Sequence, residues 1–146
     1  MRTILVALVL AASMTTAAQA QEKASTPVII ESYYRLSWGG YREWLRLYTK
    51  NEAPVLAELQ RQGLILSYSA ERPFTHMAGG ARWDFRVRVT YRDPETAVAT
   101  GGTFDAAWAA ALKKLFPNAA EREAEERQRA AIVEEHWDVI LMPHVP

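Results

Sequence analysis

Two arginines, Arg86 and Arg88, lie two residues apart in the stretch WDFRVRVTYRD at residues 83–93. Side chains at positions i and i+2 of a β-strand point to the same face, so the two guanidinium groups would lie side by side. Such a pair is suited to binding one carboxylate or phosphate group. The alternative is that cross-strand carboxylates neutralise both arginines, which would then fill a sheet face and set the register of an interface.

Other polar residues share this predicted face. In the first strand Glu31, Tyr33 and Arg35 share one parity, and in the last strand Asp138, Ile140 and Met142 do the same. If all of them point away from the helices, Asp84 and Asp138 join the face. The predicted ligand-binding residues of the face are Glu31, Tyr33, Arg35, Arg86 and Arg88.

His76 completes the set of candidate residues. It lies in the loop RPFTHMAGGA at residues 72–81, where an imidazole near a sheet end could act as an acid–base group or a ligand. A lone loop histidine is more often an ordinary surface residue. His136 and His144 are too far apart along one strand to share a metal ion, so no metal site is predicted.

Five tryptophans and six tyrosines suggest either a hydrophobic core or an aromatic ligand site. Trp44, Tyr48, Trp83 and Trp108 fit apolar stripes, so core packing is their predicted role. Tyr33 and Tyr34 are neighbours in a strand and must point to opposite faces. One of the two therefore has to leave the helix-facing core.

Periodicity predicts the elements that position these residues. The helical rhythm that begins at Tyr41 ends at Gly63, and Pro54 predicts a break or kink near Asn51 because proline removes a backbone donor. Strands are predicted at residues 27–38, 64–71, 82–92 and 137–145.

The second crossover is predicted to be broken into two or three helical pieces. Asp93 caps the first, with Pro94 at its first position, and Thr103 caps the second. Pro117 ends the second piece. Residues 118–136 form a charged, solvated helix.

The resulting order is β-α-β-β-α-β, which predicts a ferredoxin-like α+β fold. Its antiparallel four-stranded sheet carries helices on one face only. The other face must be solvated or covered by a partner. The strand order therefore gives the polar face two possible environments, water or a second molecule.

Part of this pattern resembles a known family. The strand ESYYRLSWGG leads into the helix YREWLRLY, a proline breaks that helix, and a strand of the type WDFRVRVTY follows. The chain resembles the dimeric α+β barrel superfamily of ferredoxin-like proteins over most of residues 28–142. The resemblance implies a homodimer in which two sheets face each other, often with a small molecule between them.

Members of that superfamily include cofactor-independent monooxygenases, haem-degrading oxygenases and haem peroxidases. The haem-degrading members use an Asn, a Trp and a His at particular positions. Asn51, Trp83 and His76 are present here but do not match those positions one by one. The resemblance therefore implies a dimer and a pocket without implying an activity or a cofactor.

The N-terminal sequence MRTILVALVLAASMTTAAQA, residues 1–20, joins a basic residue, a short apolar run and a small-x-small cleavage site. This pattern predicts a secretory signal peptide that is cut between Ala20 and Gln21, since the apolar run is too short to span a bilayer. Residues 21–146 are then a single exported domain, periplasmic or secreted, without membrane attachment after cleavage.

Composition excludes several classes of function. The formal net charge is zero, so no strong field favours nucleic acid as a partner. The absence of cysteine excludes thiol catalysis, iron–sulfur clusters and Cys-ligated zinc. No catalytic triad, phosphate-binding loop or dinucleotide fingerprint is present.

Three hypotheses follow. In the first, an exported homodimer pairs through its helix-free sheet face and holds a small acidic or aromatic molecule between the sheets or at the sheet end, with no cofactor. In the second, the protein is a cofactor-independent monooxygenase in which His76, Tyr33 or an arginine stabilises an enolate-like intermediate. In the third, the dimer is purely structural and the charged face is its seam.

Overall fold

The computed structural model describes residues 26–141. The predicted signal peptide and its cleavage site, together with Met142 and His144, lie outside these residues. The elements are β1 (Val28–Leu36), α1 (Tyr41–Asn51), α2 (Ala53–Arg61), β2 (Ile65–Glu71), β3 (Phe85–Tyr91), α3 (Pro94–Val98), α4 (Thr103–Leu115), α5 (Ala119–Ala130) and β4 (Val133–Leu141). The predicted order β-α-β-β-α-β is confirmed, and the second crossover consists of three helices.

The four strands form one antiparallel sheet in the order β2-β3-β1-β4. The two central strands, β3 and β1, pair with Tyr33 opposite Arg86 and Glu31 opposite Arg88. This is the predicted four-stranded sheet of the ferredoxin-like fold, with β2 and β4 at its edges. Within the described residues, no helix is long and apolar enough to cross a membrane.

The first crossover is a bent helix, as the proline predicts. α1 ends at Asn51, α2 begins at Ala53, and Pro54 lies in the first turn of α2, where its missing N–H costs no helical hydrogen bond. Gly63 follows α2 with a positive φ of 73°, the left-handed conformation that favours glycine after a helix. The break brings Glu52 between the two helices.

The core lies between the bent helix and the central strands. The apolar parity of β3 points into it, as predicted, and β1 ends in the core at its last residue. Its fully buried members include Leu36, Trp44, Val55, Leu59, Ile65, Phe85 and Val87. This arrangement leaves the opposite parity of β1 and β3 on a face without helices, which we call the helix-free face.

The first part of the second crossover follows the predicted capping. The Asp93 carboxylate accepts a hydrogen bond of 2.6 Å from the backbone N–H of Thr96, and Pro94 begins α3. The predicted cap at Thr103 is wrong, because Gly102 is the N-cap of α4 and Thr103 is its first helical residue. The predicted apolar stripe of α4 packs on the core.

The predicted boundary between the last helix and the last strand is wrong. The helix was expected to run to residue 136, but α5 ends at Ala130 and β4 begins at Val133. The segment VEEH, residues 133–136, contains glutamates that favour a helix. Pairing with β1, where Glu135 lies opposite Arg35, overrides this local preference.

Candidate functional site

Five of the six predicted site residues lie on the helix-free face, and four of them come together in one cluster. Cross-strand pairing places Glu31 and Tyr33 of β1 beside Arg88 and Arg86 of β3. Glu71 of β2 lies opposite Arg86 on the other side and was not among the predicted residues. We call these five residues, Glu31, Tyr33, Glu71, Arg86 and Arg88, the polar cluster.

Every charge in the polar cluster has a partner of the opposite sign. Arg86 donates through Nε to Glu71 Oε2 at 2.8 Å, and its Nη1 lies 3.4 Å from Glu31 Oε1. Arg88 Nη1 lies 3.6 Å from the same Glu31 oxygen, and the Tyr33 hydroxyl donates to Glu31 Oε2 at 2.6 Å. A ligand that binds both arginines would first have to displace these carboxylates from them.

The electrostatics of the cluster agree with this geometry. The contacts with the Tyr33 hydroxyl and with Glu71 raise the pKa of the Arg86 guanidinium. The hydrogen bond from Arg86 holds the pKa of the Glu71 carboxyl below its usual range. Glu31 is only 6% exposed, and a buried carboxylate of this kind needs the partners that the arginines and Tyr33 provide.

An aromatic row crosses the helix-free face beside the polar cluster. The rings of Tyr33 and Trp137 stack with centroids 5.4 Å apart, and Trp83 meets Tyr33 edge-on at 5.6 Å. The Arg86 guanidinium lies 5.8 Å from the Tyr33 ring centroid and 5.6 Å from that of Trp83. We call Trp83, Tyr33 and Trp137 the aromatic row.

The predicted core role of Trp83 is wrong. The alternation in WDFRVRVTYRD assigned Trp83 to the parity of Phe85, but β3 begins only at Phe85, so strand alternation does not apply to Trp83. Asp84 likewise leaves the predicted polar set. Its carboxylate accepts a hydrogen bond from the Leu36 backbone N–H at 2.9 Å and pairs with Arg82 at 2.8 Å.

The predicted face assignment of β4 is also wrong. Asp138 and Ile140 were expected on the helix-free face, but they lie opposite Ser32 and Ile30 on the other face. Trp137 and Val139 occupy the helix-free face instead, opposite Tyr33 and Glu31. The register between strands that are distant in sequence sets this parity, and no turn chemistry specifies that register.

Arg35 and His76 lie apart from the polar cluster. Arg35 pairs with two carboxylates of β4, Glu134 at 3.4 Å and Glu135. His76 is exposed in the loop between β2 and β3. It lines an open cleft at the end of the sheet, the sheet-end cleft, of about 270 Å³, whose other lining residues include Trp38, Tyr41, Arg72, Phe74, Arg82 and Trp83.

The helix side of the sheet contains a hollow that the sequence interpretation missed. Its volume is about 500 Å³, and we call it the helix-side hollow. Helix α5 forms one wall, although the sequence indicated only a solvated helix. The lining residues are Tyr34, Trp44, Glu126, Arg129, Ala130, Val133 and His136.

Aromatic stacking and a partly buried ion pair shape this hollow. Tyr34 stacks on His136 with ring centroids 4.5 Å apart and packs on Trp44 at 4.8 Å. Arg129 lies 5.7 Å from the Trp44 ring centroid and forms an ion pair with Glu52 at the helical break. Periodicity could not reveal this pair, because 77 residues separate its members.

Glu52, the ion-pair partner of Arg129, lines a second hollow of about 350 Å³. That hollow is lined by Ser32, Leu56 and Trp108 among others, and by Tyr91. Burial raises the pKa of the Tyr34 hydroxyl, with a smaller contribution from Glu52, and burial raises the pKa of Tyr91 to about 12. Both phenols are therefore neutral near pH 7.

Two polar atoms near the helix-side hollow are buried without a hydrogen-bond partner among residues 26–141. They are the indole Nε1 of Trp44, a residue that lines the hollow, and the hydroxyl oxygen of Tyr48, whose ring stacks on Trp44. Buried polar atoms are usually paired, so these two atoms are exceptions within the packed layer behind the hollow. Among residues 26–141, no group of three or more His, Cys, Asp or Glu side chains could hold a metal ion.

Comparison with known proteins supports the fold. No protein-family model and no curated protein matches the sequence. A dimeric ferredoxin-like protein from an uncultured marine organism matches in structure with a TM-score of 0.54 and 6% identity, over 84% of this chain and 95% of that chain. The fold is ferredoxin-like. The predicted ferredoxin-like fold is thus confirmed.

Two further solved structures are more distant in shape. A NIPSNAP-like domain protein from Burkholderia xenovorans gives a TM-score of 0.48 at 17% identity, over 81% of this chain and 85% of that one. A dabb family protein with a ferredoxin-like fold from Mesorhizobium loti gives 0.46 at 12% identity, over 82% and 98%.

Proposed function

We propose that this chain is an exported protein that binds a small molecule and works as a homodimer joined through its helix-free face. The observation that carries the binding role is the helix-side hollow itself, a space of about 500 Å³ lined by Tyr34, Trp44 and Val133. The proposal of export rests on the N-terminal signal-peptide pattern of the sequence.

The lining of the helix-side hollow indicates the chemistry of the ligand. Its volume of about 500 Å³ is within the usual range of small-molecule sites. Tyr34, Trp44 and Val133 offer apolar and aromatic surface, whereas Arg129 is already paired with Glu52. A flat, mainly apolar molecule fits this combination.

The helix-free face suits a second copy of the chain better than a small anion. Its arginines, Arg35, Arg86 and Arg88, all have carboxylate partners in the same chain. The aromatic row offers Trp and Tyr side chains, which together with Arg are typical of interface cores. The marine ferredoxin-like protein with the same fold is dimeric. The ligand role predicted for the face residues stays a prediction.

The geometry favours binding over catalysis of the monooxygenase type. His76 and Tyr33, the predicted catalytic candidates, lie in the sheet-end cleft and on the helix-free face respectively. The tyrosine that lines the helix-side hollow is Tyr34, and burial raises its pKa. A neutral phenol donates a hydrogen bond to a ligand but is a poor general base near pH 7.

Native mass spectrometry of protein purified from its own cell envelope tests this proposal. We expect a dimer that begins at Gln21 and carries a small molecule. Ala130→Trp, at a residue that lines the helix-side hollow, should release that molecule by filling the space. Ala124→Trp, on exposed surface of the same helix, is the matched control and should retain it.

Three results would contradict the proposal. Wild-type protein purified without any bound molecule would contradict the proposal that it binds one. A molecule that Ala130→Trp retains as well as Ala124→Trp does would place the ligand elsewhere. A chain that is monomeric at every protein concentration tested would contradict the proposed homodimer.

A further inference from the structure

The sheet-end cleft joins exposed aromatic surface to an unpaired cation. Trp38 is 88% exposed and Phe74 fully exposed, at 103%, which is unusual for such large apolar side chains. Both line the cleft together with Tyr41 and Trp83. Four aromatic side chains around one cleft form a surface suited to a flat ring.

The charges of the cleft do not cancel. Arg72 lies 5.6 Å from the centroid of the Tyr41 ring and has no ion-pair partner among residues 26–141. The acid that lines the cleft, Asp84, is already bound to Arg82 and to the Leu36 backbone N–H. One arginine is therefore left without a counter-charge at the cleft.

We propose that the sheet-end cleft is a second binding site, which takes a small aromatic carboxylate. The carboxylate pairs with Arg72, and the aromatic ring packs among Trp38, Phe74 and Trp83. An arginine fork binds a carboxylate through two parallel hydrogen bonds, and an arginine held over an aromatic ring is ordered for that contact. The imidazole of His76 lines the same cleft and offers a further donor.

This site is distinct from the helix-side hollow, and the two make different demands on a ligand. The hollow offers aromatic surface and an arginine that is already paired with Glu52, so it does not select a charged ligand. The cleft offers an unpaired guanidinium at an exposed position, so it selects a negative charge. The cleft site therefore does not depend on a ligand in the helix-side hollow.

Titration with naphthalene-2-carboxylate, followed by tryptophan fluorescence and calorimetry, tests the site. We expect saturable binding that is at least roughly tenfold tighter than the binding of naphthalene-2-carboxamide, which has the same ring without the charge. Acetate, which has the charge without the ring, should bind at least as weakly as the amide.

Variants separate the contributions of charge and ring. Arg72→Gln should weaken the binding of naphthalene-2-carboxylate roughly tenfold or more and leave the binding of the amide unchanged. Phe74→Ala should weaken the binding of both compounds. Arg127→Gln, at an exposed arginine of α5 that does not line the cleft, is the matched control and should change neither. Both Arg72 and Phe74 are exposed, so neither substitution should affect folding.

Three outcomes would overturn the site. Equal affinity for the carboxylate and the amide would remove the role of Arg72, as would an Arg72→Gln variant with unchanged affinity. Loss of carboxylate binding in Ala130→Trp, with Arg72→Gln unaffected, would assign the compound to the helix-side hollow instead. No binding up to millimolar concentration would also contradict the proposal.

Discussion

Tyr33 and Tyr34 are neighbours in β1, yet they belong to different regions of the molecule. Tyr33 lies on the helix-free face, where it stacks on Trp137 and donates its hydroxyl hydrogen to Glu31 at 2.6 Å. Tyr34 lies on the helix side, where it packs on Trp44 and His136 and where burial raises its pKa. Strand parity alone assigns the two identical side chains to these environments.

The comparison shows two ways in which one sheet accommodates polar groups. On the helix-free face, partly exposed arginines pair with carboxylates across strands, which leaves a surface that can pair with another copy. On the helix side, the helices do not close over the sheet completely. A buried donor there, Trp44 Nε1, remains unpaired beside a hollow. The first region is suited to association and the second to a ligand.

Replacing one tryptophan on each side should give the largest contrast. Trp44→Ala removes a fully buried ring that contacts Phe85 and Tyr48, so the free energy of unfolding should fall by about 3–5 kcal/mol. Trp137→Ala removes a half-buried ring, so it should mainly weaken the dimer and make the melting temperature depend more strongly on protein concentration. Urea unfolding at several protein concentrations measures both effects. A large loss of unfolding free energy in Trp137→Ala, with a stronger concentration dependence in Trp44→Ala, would contradict the comparison.

Arginine substitutions compare a buried ion partner with exposed ones. Arg86→Ala leaves the buried Glu31 with Arg88 alone, so we expect a loss of about 1–3 kcal/mol in unfolding free energy. Arg35→Ala leaves two half-exposed glutamates that water can solvate, so its effect should be within about 0.5 kcal/mol. Equal losses, measured by chemical denaturation, would show that the burial of Glu31 does not matter.

Alkaline pH tests the helix side. Because the pKa of Tyr91 is raised from 10.0 to about 12 in the folded state, its stabilising contribution is complete below pH 10 and is lost as the pH rises toward 12. Tyr91→Phe should therefore lose less unfolding free energy than wild type between pH 10 and 12. Unfolding curves at pH 8, where the Tyr91 phenol is protonated in both the folded and the unfolded protein, provide the baseline. Parallel pH profiles would contradict the raised pKa.

Acid pH tests the helix-free face, with a smaller effect. The pKa of Glu71 is lowered from 4.5 by Arg86, so its contribution is present above pH 4.5 and is lost as the pH falls through the folded-state value. Glu71→Gln should flatten the decline in thermal stability below pH 4.5. Added salt should reduce the difference between variant and wild type, because the pair is partly exposed. Identical acid profiles would contradict the assignment.

The sequence predicted what local patterns encode. Alternation in β3 correctly assigned Phe85 and Val87 to the core and Arg86 and Arg88 to the other face, because a period of two is a property of the strand itself. The break at Pro54 and the cap at Asp93 likewise depend on neighbouring residues only. These features were enough to give the fold.

Long-range pairing determined what the sequence interpretation missed. The glutamates of β4 favour a helix locally, and only the register with β1 places Trp137 beside Tyr33. Trp83 precedes its strand, so alternation misassigned it. One wall of the helix-side hollow includes Arg129, which forms an ion pair with Glu52. The two residues are far apart in sequence, so no local spacing pattern could predict their contact.

The central claim is that the helix-free face joins two copies, and β4 provides a matched pair of variants to test it. Val139 and Ile140 are adjacent exposed apolar residues on opposite faces, 37% and 53% exposed. Sedimentation equilibrium of Val139→Lys and Ile140→Lys compares the two faces directly. The account predicts that Val139→Lys is monomeric and that Ile140→Lys remains dimeric like wild type. A dimer that survives Val139→Lys and dissociates in Ile140→Lys would contradict it.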